Sequence, residues 1–298
     1  MKRFRSSVIA VAIVFFVLAT FSGEAFSQKL SAEEIIAKAV ASIGTSEALA
    51  KSKGRMAIGK SEFVSRNPPL QSVGRAVLAA DGVDFAFHAT FDLKQYPMER
   101  IGLFTNKISI PLLKEGTRSP LGAFLLVNDR PLRDRLLGGS IFNTWLLFDT
   151  SRAEGKFEVE GKKKVKEKET WVLRYRPKSG LRDGSSIKLY FDAETFRHVR
   201  TVYELSEPDR GFYAINNDSR NPASGGTPLT GAMAQNSNTL IESFEDYKEA
   251  NGLMLPHKYS VELFLNGVAG TNQFKWHFTI VEHRLVNDFG KGFFAFTV

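Results

Sequence analysis

Five histidines and a few carboxylates are the side chains with which this chain could move a proton or hold a metal: His88, His198, His257, His277 and His283, with Glu242, Glu245 and Asp246, and Asp209 beside Arg210. Their spacing supports neither chemistry. A zinc site places two ligands one helical turn apart or clusters histidine with acidic residues, and none of these histidines has such a partner. His277 and His283 lie on one alternating run, roughly 20 Å apart in an unbent strand. The chain has no cysteine, which excludes a thiol nucleophile and a disulfide. No nucleophile elbow, phosphate-binding loop or dinucleotide fingerprint is expected along it. No nucleophile, base and orienting group can be named together, so the expectation is a protein that is not an enzyme and uses neither metal nor cofactor. The carboxylates are expected to be solvated, as such residues mostly are.

The elements that would position any site are far more legible. Val83-Asp84-Phe85-Ala86-Phe87-His88-Ala89-Thr90-Phe91 alternates apolar and polar residues with only Ala86 out of step. In a strand this puts Val83, Phe85, Phe87, Ala89 and Phe91 on one wall. The same period recurs at Trp171, Leu173 and Tyr175, at Ile187, Leu189 and Phe191, at Tyr259 through Leu265, and at Phe274, Trp276, Phe278 and Ile280. These read as antiparallel strands with one face buried. Further strands are expected at Arg55–Val64, Val73–Ala80, Glu99–Thr105, Lys156–Glu160, Val165–Arg176, Phe196–Leu205 and Leu240–Lys248, with Asp81-Gly82 as a hairpin turn.

Helices bracket and interrupt this sheet. Ser31 and Glu34 stand at capping-box spacing ahead of an apolar stripe, Ile35, Ile36, Ala39, Val40 and Ile43, which Gly44 ends. Thr45 can cap a short second helix. Mid-chain, Ser119-Pro120 starts a helix with Leu121, Phe124 and Leu125 on one face, and Pro131 can start another with Leu132, Leu136 and Leu137. The pair is expected either to be a lid, hinged at Asn128–Pro131, or to cap the core. Ser206–Asn238 is poor in large apolar residues and reads as a long loop.

Compartment and charge bound the function. Lys2, Arg3 and Arg5 precede an apolar run, Val8–Phe21, and Ala25-Phe26-Ser27 offers a cleavage site, so residues 1–27 are expected to be a signal peptide and 28–298 a single domain. The run is too short for a spanning helix, and without cysteine there is no lipid-modified N-terminus. The chain carries a net +8, of which residues 28–298 keep +6. The densest basic run, Lys162–Lys168, has no interleaved aromatics, so nucleic acid is not an expected partner. It reads as a solvated hairpin guarding an edge strand, with peripheral contact to anionic lipid headgroups as the functional alternative.

Three stretches resemble a known family. The helix through Ile43 with Gly44 and Ala48-Leu49-Ala50, the segment Leu189–Arg200, and Phe244–Tyr247 running on through Asn251–His257 resemble exported proteins of the LolA/LolB-like superfamily, whose better-known members carry lipoproteins across the periplasm of Gram-negative bacteria. The resemblance implies a mainly β fold: an incomplete antiparallel barrel, or strongly curved sheet, around an apolar cavity, with an N-terminal helix and a helical lid. The candidate cavity wall is then Phe85, Phe87, Phe91, Leu189, Phe191, Trp276 and Phe278, and the candidate lid is Leu121, Phe124, Leu125, Leu132 and Leu136. The expected function is a periplasmic carrier or binding protein for acyl chains of lipoproteins or lipids. The alternative is an interaction or regulatory module of the same fold that binds a protein partner in the envelope.

Overall fold

The computed structural model describes residues 30–66, 68–114, 116–206, 237–267 and 270–296; the expected signal peptide and nearly all of the loop Ser206–Asn238 lie outside them. Within residues 32–298, which form one unit, the period-two runs become strands: β1 Gly54–Ser65, β2 Leu70–Asp81, β3 Asp84–Thr90, β4 Met98–Phe104, β5 Lys107–Ser109, β6 Gly155–Val165, β7 Lys168–Pro177, β8 Ser186–Asp192, β9 His198–Ser206, β10 Ser237–Ala250, β11 Leu253–Gly267 and β12 Gly270–Leu285. All pair antiparallel in one sheet of order β5-β4-β3-β2-β1-β12-β11-β10-β9-β8-β7-β6. The sheet is not closed: β5 and β6 are its two edges. It bends strongly, because Phe87 of β3 and Phe278 of β12 stand three strand spacings apart, roughly 14 Å on a flat sheet, yet their ring centroids are 5.1 Å apart.

Two helices open the unit. α1, Ala32–Ala41, buries Ile35, Ile36 and Ala39, and α2, Ser46–Lys51, is capped by Thr45, whose Oγ1 accepts from the Ala48 amide at 3.2 Å. The segment between β5 and β6 crosses the concave face from one sheet edge to the other. It contains α3, Pro120–Val127, capped by Ser119, the single turn α4, Arg130–Arg133, and three 3-10 turns at Gly139–Ile141, Leu146–Phe148 and Thr150–Arg152. The second mid-chain helix is therefore shorter than its leucine spacing suggests. Arg135 adopts φ +51, which ends helical geometry before Leu136.

Three local expectations are corrected. Val83 lies in the β2–β3 turn and is exposed rather than part of the wall. The basic run forms the expected edge-strand hairpin but with other bounds: β6 does not stop at Glu160 but continues through Lys162–Val165, and the chain reverses at Lys166-Glu167, both at positive φ, after a bulge at Gly161. Ala86, out of step in the sequence, is buried on the convex face, where Phe294 of the C-terminal tail packs over Ala79 and Ala86. The tail is held there by Ser109 Oγ donating to the Phe296 carbonyl at 2.5 Å. Among the described residues no helix is long and apolar enough to cross a membrane.

Candidate ligand-binding site

The sheet turns all seven candidate wall residues inward, and none is more than 6% exposed. Rings touch in an unbroken series across the concave face: Phe87 to Phe278, Phe278 to Tyr259 at 5.4 Å, Tyr259 to Phe244 at 5.2 Å, Phe244 to His198 at 4.4 Å, and His198 to Phe191 at 5.4 Å. A second group joins Phe91 and Trp276 through Phe63 and Tyr96. Phe85 stacks on Phe142 of the crossing segment at 5.2 Å. The candidate lid residues Leu121, Phe124, Leu125, Leu132 and Leu136 are all fully buried. In this structure the space between wall and crossing segment is thus filled by the protein's own side chains.

Two buried glutamates clamp that segment. Glu99 accepts from Ser119 Oγ at 2.5 Å and from Tyr96 Oη at 2.6 Å; Tyr96 in turn accepts from Trp276 Nε1 at 2.7 Å. Glu242 accepts from the Gly138 amide at 2.6 Å, from Tyr259 Oη at 2.5 Å and from Tyr203 Oη at 2.7 Å. The clamps hold the two ends of the helical stretch Ser119–Gly138. Gly138 and Gly139 take φ +78 and +48, and a Cβ on Gly139 would come within 2.7 Å of His198 Nδ1, so only glycine allows this close approach. Burial pushes both carboxyls up to about 7, against the lowering effect of their hydrogen bonds. Glu242 is therefore not the solvated group expected from its type, whereas Glu245 and Asp246 are exposed and paired with Lys166 and Lys248. His198, stacked on Trp145 at 4.9 Å, is pushed down to about 3 by burial and is neutral. Among the described residues no group of three histidines or carboxylates is placed to hold a metal.

Beside the filled interior lies an open cleft of about 1270 Å³, lined by Ile36 and Val40 of α1, Leu49 of α2, Leu147 of the second 3-10 turn, Phe157 of β6 and Gly252 of the β10–β11 turn, among others. Its lining is largely apolar, with Glu33 and Lys156 at the charged positions. A smaller cleft of about 470 Å³ is flanked by Lys168, Arg197 and Arg200. Of the basic run, Lys162, Lys163 and Lys166 are paired with Glu169, Glu160 and Glu245.

Besides Glu99, sequence reasoning passed over one motif and one residue within it. Gly54-Arg55-Met56-Ala57-Ile58-Gly59-Lys60-Ser61 has the spacing of a phosphate-binding loop. The structure lays it out as β1, paired along its length with β2 and β12, so no loop of free amides exists to cradle a phosphate. Within it Arg55 is 4% exposed. Its Nη1 reaches only the Ser140 carbonyl, at 3.4 Å, and its Nε and Nη2 have no partner. The signal was available, since Arg55 shares its strand face with Ala57 and Phe63.

No family model matches the chain, and no curated protein matches it. Among solved structures it is similar to a LolA superfamily protein from Nitrosomonas europaea, at 10% identity and TM-score 0.45, over 89% of this chain and 97% of that one. It is also similar to a DUF1329 family protein from Desulfovibrio piger, at 10% identity and TM-score 0.41, over 87% and 95%. A putative outer membrane lipoprotein-sorting protein domain from Vibrio parahaemolyticus is similar at 10% identity and TM-score 0.40, over 84% and 93%. In structure this chain is similar to a LolA superfamily protein.

Proposed function

We propose that this chain is an exported periplasmic carrier or binding protein, without enzymatic activity, for a hydrophobic ligand such as the acyl chains of lipoproteins or lipids. The observation that carries the reading is the apolar cleft between α1, the β6 edge and the 3-10 turns. It is larger than a typical small-molecule pocket and borders the segment that covers the aromatic wall. In this reading the ligand enters at the cleft and the segment Ser119–Gly138 gives way as a lid, exposing Phe85, Phe87 and Phe278 on one side and Phe191 and Leu189 on the other. Apolar burial then drives binding at about 25 cal/mol per Å². Native mass spectrometry of protein purified from cells, before and after delipidation, tests it: a removable adduct of lipid mass is expected, and its absence with every lipid supplied contradicts the reading.

A second reading has its own observation. The interior is filled, and β6 is an eleven-residue edge strand with one side unpaired, the arrangement that accepts an added strand from a protein partner. The same spectra separate the two, because a partner-binding module would carry no lipid.

A further inference from the structure

We infer that the ligand is an amphiphile with an anionic headgroup, and that Arg55 is the residue that receives that headgroup, behind a shutter formed by Phe148. The inference rests on the carrier reading and specifies the chemistry of its ligand.

A guanidinium is held in an apolar interior only when something compensates its lost hydration. Arg55 has little: one long hydrogen bond to a backbone carbonyl, a cation–π contact with the Phe148 ring at 5.5 Å, two unpartnered nitrogens, and no carboxylate within 4 Å among the described residues. Burial lowers it to about 9, so it remains a cation at neutral pH. His283, which feels the Arg55 charge, is held at about 4, mainly by burial, and is therefore neutral. Around the same 3-10 turns Trp145 Nε1 is likewise buried without a partner, a further donor with nothing to donate to. A site with spare donors and a spare positive charge is complementary to an anion.

Leu147 lines the open cleft, and the next residue, Phe148, is half-buried with its ring 5.5 Å from the Arg55 guanidinium. In this proposal, rotation of the Phe148 side chain is what opens the cleft to the cation. An acyl chain in the cleft and its headgroup on Arg55 fit one amphiphile, whereas a small free anion would leave the cleft empty.

The test uses oleate and oleyl alcohol, which differ in the headgroup, displacing an uncharged fluorescent apolar probe from the purified protein. Oleate is expected to bind about tenfold or more tightly than the alcohol, the value of one charge-assisted pair. In Arg55→Met that preference is expected to vanish while the affinity for the alcohol stays within about twofold. Acetate at equal concentration is expected not to displace the probe; displacement by acetate would mean an anion site independent of the acyl chain and overturn the amphiphile. Equal binding of oleate and alcohol by the wild type, or a preference that survives Arg55→Met, overturns the inference and leaves the carrier reading standing. No displacement by either overturns both. Should Arg55→Met not fold, the wild type still decides through the thermal shift, oleate raising Tm more than the alcohol, and Phe148→Ala is expected to speed oleate association several-fold.

Discussion

Three charged side chains stand on the wrong side of their strands. Glu99 shares a face with Ile101 and Leu103, Glu242 with Leu240 and Phe244, and Arg55 with Ala57 and Phe63, and all three are buried. The period-two rule that locates the wall also locates them, so this much of the site was legible; reading residue type before position is what hid it. For the two glutamates the cost of burial has a pH signature. Both are raised from 4.5 to about 7, so between those values the folded protein keeps protons the unfolded chain has released, and stability falls as pH rises through that window. His198 and His283, lowered from 6.5 to about 3 and about 4, act oppositely: their contribution is lost as pH falls below about 6.5. The double variant Glu99→Gln/Glu242→Gln isolates the carboxyls. Its stability relative to the wild type is expected to grow between pH 5 and pH 8 by roughly 1–3 kcal/mol per carboxyl, measured by denaturant unfolding; an identical difference at both pH values would contradict the assignment.

Among the elements, the sheet strands and α3 were readable because each carries a strong local signal: alternation, or a serine cap with proline in the first turn. Elements that depend on tertiary contact were not. The β6–β7 reversal moved because a glycine bulge lets the basic run pair as strand, and the second lid helix collapsed to one turn where Arg135 turns left-handed. Ala86 looked like an error in the pattern, yet it marks where the C-terminal tail lies on the convex face, which no window around residue 86 could reveal. Lid and core readings of α3 predict different responses to one substitution. Phe124→Asp places a charge in a fully buried position and is expected to cost more than about 2 kcal/mol, lowering Tm by roughly 4–8 °C. Leu126→Asp, on the exposed side of the same helix, is expected to move Tm by less than about 2 °C. A Phe124→Asp protein that melts like the wild type yet no longer binds the apolar probe would mean that the helix opens freely and is a lid alone.

At the scale of the whole unit, the strand order has two seams on opposite sides. Between β5 and β6 the chain is continuous but the hydrogen-bond ladder stops; between β1 and β12 the ladder is continuous, Arg55 pairing with Leu285, although these strands are far apart in sequence. Every other neighbour in the sheet is also a neighbour in the chain. The two half-meanders, β1–β5 and β6–β12, can each zip up locally, and the middle of the sheet forms only when the last strand arrives. The order of elements is thus cyclic, and where it begins is a choice that evolution made rather than one the sheet demands. A circular permutant that joins residue 296 to residue 32 through a flexible linker and opens the chain at Gly116, in the turn before α3, would make all eleven pairings sequential. It is expected to keep the far-UV spectrum of the parent and to refold about tenfold or more faster, since the costliest loop closure is gone. Equal refolding rates would place the slow step elsewhere, in the docking of the crossing segment onto the finished wall.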